Sequence, residues 1–226
     1  AAPFLAEAFD AVDPKNDFHF LRADTPEKTV TCVTQLLKEY LPRWYPKLHP
    51  IRDVQVLGPM HRGTCGIQAL NETLQHALNP DKPGVQSGNE RFQVGDKVIQ
   101  TRNNYDKGIF NGDLGIVSAV NPEAGAVAVQ FDDEEVEFDR QDIGELHLAY
   151  AFTIHKSQGS EFPIVVVPLQ KQHFMMLQRN LIYTAITRGR RKVFLVGDPV
   201  AYAMAVRNKE ASIRLTYLPD QLMQQA

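Results

Sequence analysis

The chain has 226 residues, 43% hydrophobic and 23% charged, an ordinary globular profile that excludes disorder and allows one large domain or two small ones. Its longest clean apolar run, Ile164 to Leu169, is far too short for a membrane span, and the start Ala-Ala-Pro-Phe has no signal pattern, so a cytoplasmic setting without membrane contact is expected. The net charge of −3 does not announce a polyanion binder, but its distribution is uneven. Residues 151–195 hold seven Lys/Arg and one acid, whereas 121–145 hold nine acids and one base. A polyanion would be drawn to the first segment and repelled by the second, unless both are simply solvated faces.

Phe18 to Leu21 reads as a short strand. Thr25-Pro26-Glu27 is a helix start, with a capping hydroxyl, Pro at the first helical position and an acid in the first turn. Val30, Val33, Leu37 and Tyr40 continue at helical spacing, and Pro42 is expected to stop the helix. Val54 to Leu57 is a strand, and Ile67, Leu70, Leu74 and Leu78 mark an amphipathic helix ending at Asn79-Pro80. Asn79 to Glu90, rich in Pro and Gly, reads as a linker. From Phe92 to Ile143 the runs are short and β-rich: Val98-Ile99, Gly115 to Val120, Ala126 to Phe131 and Val136 to Phe138. Turns at Asn111-Gly112-Asp113 and Pro122 to Gly125 separate them, as in a small barrel of SH3-like or OB size. The α/β texture then resumes with strands Leu148 to Phe152, Ile164 to Val167 and Val193 to Val196, a helix Phe174 to Ile186, and a capped start at Asp198-Pro199. The expectation is an α/β fold with a parallel sheet and helices on both faces, divided as 1–90 and 146–226, with an all-β insert at 91–145.

Several apparent sites are set aside. Val127 to Glu134 looks like a magnesium-binding strand, but it alternates with period two inside the barrel and reads as a solvated edge. Cys32 and Cys65 make neither a disulfide framework nor a metal spacing and read as buried core residues. His49, His61, His76, His147 and His173 show no metal-ligand spacing, so no metal site is expected, and Trp44 reads as packing.

Two segments carry chemistry. Ala151-Phe-Thr-Ile-His-Lys-Ser-Gln-Gly-Ser-Glu-Phe162 follows a strand end, where α/β sheets gather ligands. Asn180-Leu-Ile-Tyr-Thr-Ala-Ile-Thr-Arg-Gly-Arg-Arg-Lys-Val-Phe-Leu-Val-Gly-Asp198 sets a guanidinium at the lip of a sheet, suited to a phosphate. Together they resemble motifs V and VI of superfamily 1 helicases, most closely the RecD/TraA branch that includes the exodeoxyribonuclease V alpha subunit. Val56 to Asn71 resembles motif IV of the same branch, and the barrel resembles its 2B domain. The likeness covers about residues 50 to 210. Motifs I to III are missing, and no Gly-Lys dipeptide occurs, so there is no Walker A loop. With no initiator Met, the start reads as a cut inside a longer chain.

The resemblance implies a second RecA-like domain, 2A, with an inserted SH3-like barrel, 2B, from an ATP-dependent DNA helicase travelling 5′ to 3′. The phosphate loop and the ligands for Mg2+ would lie in a first RecA-like domain, and this fragment alone would be inactive and bind no cofactor tightly. Arg188 would be the catalytic arginine finger. Gln158, Gly159 and Glu161 would face ATP, and Arg62 could reach ATP or the DNA. Thr153, His155 and Lys156, with Arg102, Tyr105, Lys107 and Phe110 of the barrel, would hold single-stranded DNA. Asn71 is read as structural. RecB/RecC-like subunits are conceivable partners. Other readings stay open: a non-catalytic nucleic-acid binding module that keeps the fold, an RNA helicase half, or a helicase fused to a conjugative relaxase.

Overall fold

The computed structural model describes residues 3–132 and 134–208, so Asp133 and the stretch 209–226 of the last predicted part lie outside the described residues. The elements in order are α1 (Pro3–Asp10), β1 (Phe18–Arg22), α2 (Pro26–Gln35), α3 (Leu41–Trp44), β2 (Val54–Gly58), α4 (Ile67–Leu78), β3 (Gly84–Ser87) and β4 (Glu90–Gln93). Then come β5 (Lys97–Gln100), β6 (Leu114–Asn121), β7 (Ala126–Phe131), β8 (Glu134–Phe138), β9 (Leu146–Leu148), β10 (Ala151–Thr153) and β11 (Phe162–Leu169), followed by α5 (Arg179–Ile186), β12 (Gly189–Gly197) and α6 (Pro199–Arg207).

Strands β1, β12, β11, β2 and β10 lie side by side in that order as one parallel sheet. The sheet is buried on both faces, which is why its strands read as unbroken apolar runs. Ile164, Val166, Phe194 and Val196 pack with Leu36, Leu37, Leu70 and Leu74 beneath α2 and α4. Val165, Val167, Val193 and Leu195 pack with Leu181, Ile182 and Ala185 of α5 on the other face. Each such side chain taken out of water contributes about 1.5–3 kcal/mol. The expected α/β sheet with helices on both faces is therefore present.

A second, antiparallel sheet runs β8-β7-β6-β5-β9. Its inward residues, among them Val98, Val117, Val129 and Phe138, join the α2–α4 side of the core without a break.

Four local expectations give way to the structure. Pro42 does not stop the helix. One π turn at Leu36–Tyr40 sends the Leu41 amide back to Leu36 O, so Pro42 falls in the first turn of α3, where its missing N–H is not required. The Asn79–Glu90 linker contains half of a hairpin: β3 pairs with β4, and Gly88 at its tip has φ 57°. The strand expected at Leu148 to Phe152 is two strands, β9 on β5 of the barrel and β10 on β2 of the parallel sheet. The helix expected from Phe174 to Ile186 is a 3-10 turn, Lys171–Met176, and then α5. For the two β segments, strand pairing overrides the local pattern.

Candidate functional site

The segment after β10 crosses the whole sheet. Thr153 is level with Gly58 at the carboxyl end of β2, whereas Ile164 is level with Val54 at its amino end. The chain makes this descent through a 3-10 turn, Ile154–Ser157, closed by Ser157 Oγ donating to Ile154 O at 2.6 Å. It then bends at Gly159, whose φ of 88° is a left-handed conformation that suits glycine although nothing crowds a Cβ there.

The two ends of the segment meet different surroundings. At the carboxyl edge, exposed Lys156 lines a groove of about 550 Å3 between the sheet and the barrel. Phe152, His61 and Gln68 line it from the sheet side, and the β3–β4 hairpin tip and β9 from the other. His61 stands on the loop after β2. That loop is tight: a Cβ on Gly66 would lie 2.5 Å from the Arg62 carbonyl carbon. His155 and Gln158, both exposed, line a separate cavity of about 140 Å3 against Gln178 and Asn180 at the start of α5 and Thr184 further along it. His155 and Gln158, expected to serve DNA and the nucleotide respectively, thus line one cavity. The 3-10 turn sets Lys156 on one side and His155 with Gln158 on the other. Thr153 is buried at the end of β10.

At the amino edge lies Arg188, between α5 and β12. Its Nε donates to Thr184 O at 3.3 Å, Nη1 to Ser160 O at 3.2 Å and Nη2 to Thr187 Oγ1 at 3.3 Å. The Arg188 carbonyl accepts Phe162 N–H at 2.8 Å. The half-buried guanidinium is therefore oriented by neutral oxygens alone in these bonds. Glu161 is exposed and paired with Arg190, Nε to Oε2 at 2.9 Å. Arg62 is exposed on the loop after β2, at the carboxyl edge of the sheet, whereas Arg188 stands at the amino edge.

In the barrel, the loop from Thr101 to Asp113 is ordered by its own groups. Asn104 and Ile109 exchange both backbone bonds, Asn111 N–H donates to Asn103 Oδ1 at 3.0 Å, and Phe110 N–H to Asp113 Oδ2 at 2.7 Å. This presents Tyr105, 78% exposed, edge-on to Phe110, 46% exposed, with ring centroids 6.0 Å apart. Arg102, on the same loop, is also exposed. Lys107 is not free for a phosphate: its ammonium is bonded to Asp142 and to Glu137 O and lies 4.7 Å from the Phe138 ring centroid.

Where the barrel meets the sheet, two ionisable residues adjacent in sequence, Asp96 and Lys97, are both buried, which the sequence did not announce. The Asp96 carboxylate accepts Gln75 Nε2 at 2.6 Å, Asn79 Nδ2 at 2.6 Å, Gln93 N–H at 2.7 Å and the Tyr150 hydroxyl at 2.7 Å. Burial nevertheless raises its pKa. Lys97 is 4% exposed, and burial lowers its pKa to about 7. Adjacent charges at Asp96 and Lys97 read as solvated in the sequence, so only the fold reveals their burial. Cys32 and Cys65 are buried thiols pushed up to about 12 by burial. Among the described residues no group of three or more His, Cys, Asp or Glu is arranged to hold a metal ion.

Residues 70–131 match the model of the ATP-dependent RecD-like DNA helicase SH3 domain, and residues 148–196 match the UvrD-like helicase C-terminal domain. The chain is 42% identical over 159 residues to an ATP-dependent RecD2 DNA helicase of Deinococcus radiodurans, covering 70% of this chain and 22% of that protein. The chain belongs to the RecD-like branch of the superfamily 1 helicases. It is also 32% identical over 118 residues to a RecBCD enzyme subunit RecD of Mycobacterium tuberculosis, covering 52% of this chain and 20% of that one. It thus spans about a fifth of the length of these relatives. A Pif1 helicase structure from Bacteroides, in complex with ADP-AlF3 and ssDNA, shares the fold at TM-score 0.51 and 16% identity, covering 100% of this chain and 54% of that one.

Proposed function

We propose that this chain is the second RecA-like motor half, with its SH3-like insert, of an ATP-dependent DNA helicase. The observation that carries this reading is the Thr153–Phe162 crossing. One end stands beside the groove that holds Lys156, and the other, through Ser160 O, braces Arg188. A module that merely binds nucleic acid needs one end only. A motor needs both, because closure around a nucleotide at one edge must be felt by the strand at the other.

On this reading the first RecA-like domain brings the phosphate loop and Mg2+ ligands, and Arg188 meets the γ-phosphate as charge develops in transfer. Its fork is already oriented, so little reorganisation accompanies the reaction. Lys156 and His61 hold phosphates in the groove, and Tyr105 with Phe110 offers a stacking platform for bases. His155 and Gln158 serve the cavity at α5, and Arg62 belongs with the strand, not the nucleotide. Lys107 and Thr153 act structurally. The insert runs from β3 to β9, so its edges fall slightly outside 91–145. Travel 5′ to 3′, a cytoplasmic location and association with RecB- and RecC-like subunits follow the branch and its relatives' names.

The test is single-stranded DNA binding by this chain at several salt concentrations. Lys156→Ala should weaken poly-dT and mixed-sequence oligonucleotides alike and flatten the log-affinity against log-salt slope by about 0.7, the value for one single-strand phosphate. Unchanged slope and affinity would refute the groove as the strand's path.

A further inference from the structure

Between β9 and β10 the chain leaves the barrel and enters the parallel sheet, and Ala149 and Tyr150 belong to neither strand. Buried backbone oxygens at such a handover need partners from elsewhere. Two buried side-chain amides supply them. Asn71 on α4 donates from Nδ2 to Leu148 O and to Ala151 O, both at 3.0 Å, and its Oδ1 accepts Ala151 N–H at 2.7 Å. Gln55 on β2 donates from Nε2 to Ala149 O at 3.1 Å and to Tyr150 O at 3.2 Å. Four successive carbonyls are therefore held by two residues. Gln55 does this while its own Oε1 stays buried with no partner, so the amide is oriented to serve the passage and not itself. The barrel grips the same passage: Lys97 O accepts Ala149 N–H at 2.7 Å, and Asp96 accepts the Tyr150 hydroxyl at 2.7 Å.

Thr153 follows Ala151 by two residues, and Lys156 by five. The passage is thus the direct mechanical link from the barrel to the crossing that lines the groove. We propose that Asn71 and Gln55 are positioning residues: their clamp makes the barrel and the Thr153–Lys156 turn move as one body, which keeps the groove's two walls in register around the strand. This rests on the groove being the path of single-stranded DNA. Packing alone would not select these residues, since apolar side chains at both positions would fill the same space and take these donors from all four carbonyls, of which Tyr150 O also has a backbone partner, Val56 N–H at 3.3 Å.

Hydrogen exchange and DNA titration of this chain test the proposal, with Asn71→Ala, the near-isosteric Gln55→Met, and Leu70→Ala as control. Leu70 is fully buried on the same helix and touches none of these bonds, so its loss matches or exceeds the general destabilisation. In the two clamp variants, amides of 151–157 should exchange at least tenfold faster relative to those of β12. Poly-dT affinity should fall at least fivefold, with a shallower salt slope. Leu70→Ala should show neither change. Equal effects in the clamp variants and the control, or protected 151–157 amides in both clamp variants, would overturn the clamp. If Asn71→Ala does not fold, Gln55→Met decides by the same readouts. Failure of the unaltered chain to bind poly-dT would instead sink the groove reading, and the exchange data would still judge the clamp.

Discussion

Lys97 is an ammonium group at the base of the seam between barrel and sheet, and replacing it should reveal what its burial costs. Its Nζ donates to Arg52 O at 3.4 Å and Val54 O at 3.3 Å and lies 5.4 Å from the Phe162 ring centroid. None of these partners is an anion, and the attraction of Asp53 does not offset the loss of water, so the pKa drops from 10.5 to about 7. That drop corresponds to about 5 kcal/mol of discrimination against the charged form. Below pH 7 the amine is protonated in both folded and unfolded chain, and the whole cost is present. Between pH 7 and about 10.4 the unfolded chain holds a proton that the folded chain has released, so stability rises with pH across that window. Lys97→Met keeps the side chain's length and removes the charge. Allowing for the two lost carbonyl bonds at about 1 kcal/mol each, it should stabilise the chain by about 3 kcal/mol at pH 6. The gain should shrink as the pH climbs above 7. For a domain of this size that is a rise in Tm of about 6–12 °C, measurable by circular dichroism melts at pH 6, 7.5 and 9. A stability difference independent of pH, or a lower Tm for the Met variant at pH 6, would refute the reasoning.

Arg188→Ala, made in a protein that carries both RecA-like domains, should lower DNA-stimulated ATP turnover by about 10³-fold or more while sparing nucleotide binding. Arg188→Lys should not restore it, because an ammonium lacks the fork; turnover near the unaltered level in either variant would make Arg188 a helix-end anchor. Tyr105→Ala with Phe110→Ala should cost about 1–3 kcal/mol of single-stranded DNA affinity per base unstacked, with an unchanged salt slope, in fluorescence-anisotropy titrations. Unchanged affinity would remove the barrel loop from the strand's path.

Much of this protein is legible in its sequence because the relevant physics is local or periodic. Apolar runs such as Ile164–Val167 announce strands buried on both faces, and Thr25-Pro26 and Asp198-Pro199 announce helix starts that the structure caps with Thr25 Oγ1 and Asp198 Oδ1. The segments at 151–162 and 180–198 stand out because polar and basic groups gather there beside buried apolar runs. What the sequence could not disclose depends on which element lies beside which. Leu148 to Phe152 is one apolar run, and only hydrogen-bonding to β5 and then to β2 divides it between two sheets. Pro42 breaks a helix by its own chemistry, yet a π turn absorbs it. Lys107, Asp96 and Lys97 look like solvated charges until the fold supplies Asp142 for the first, three neutral side-chain donors for the second and two carbonyls for the third. Arg188 and Lys156 are 32 residues apart by sequence number and stand toward opposite edges of the sheet. That they are joined by one crossing segment is a property of parallel-strand register, which no pattern along the chain records.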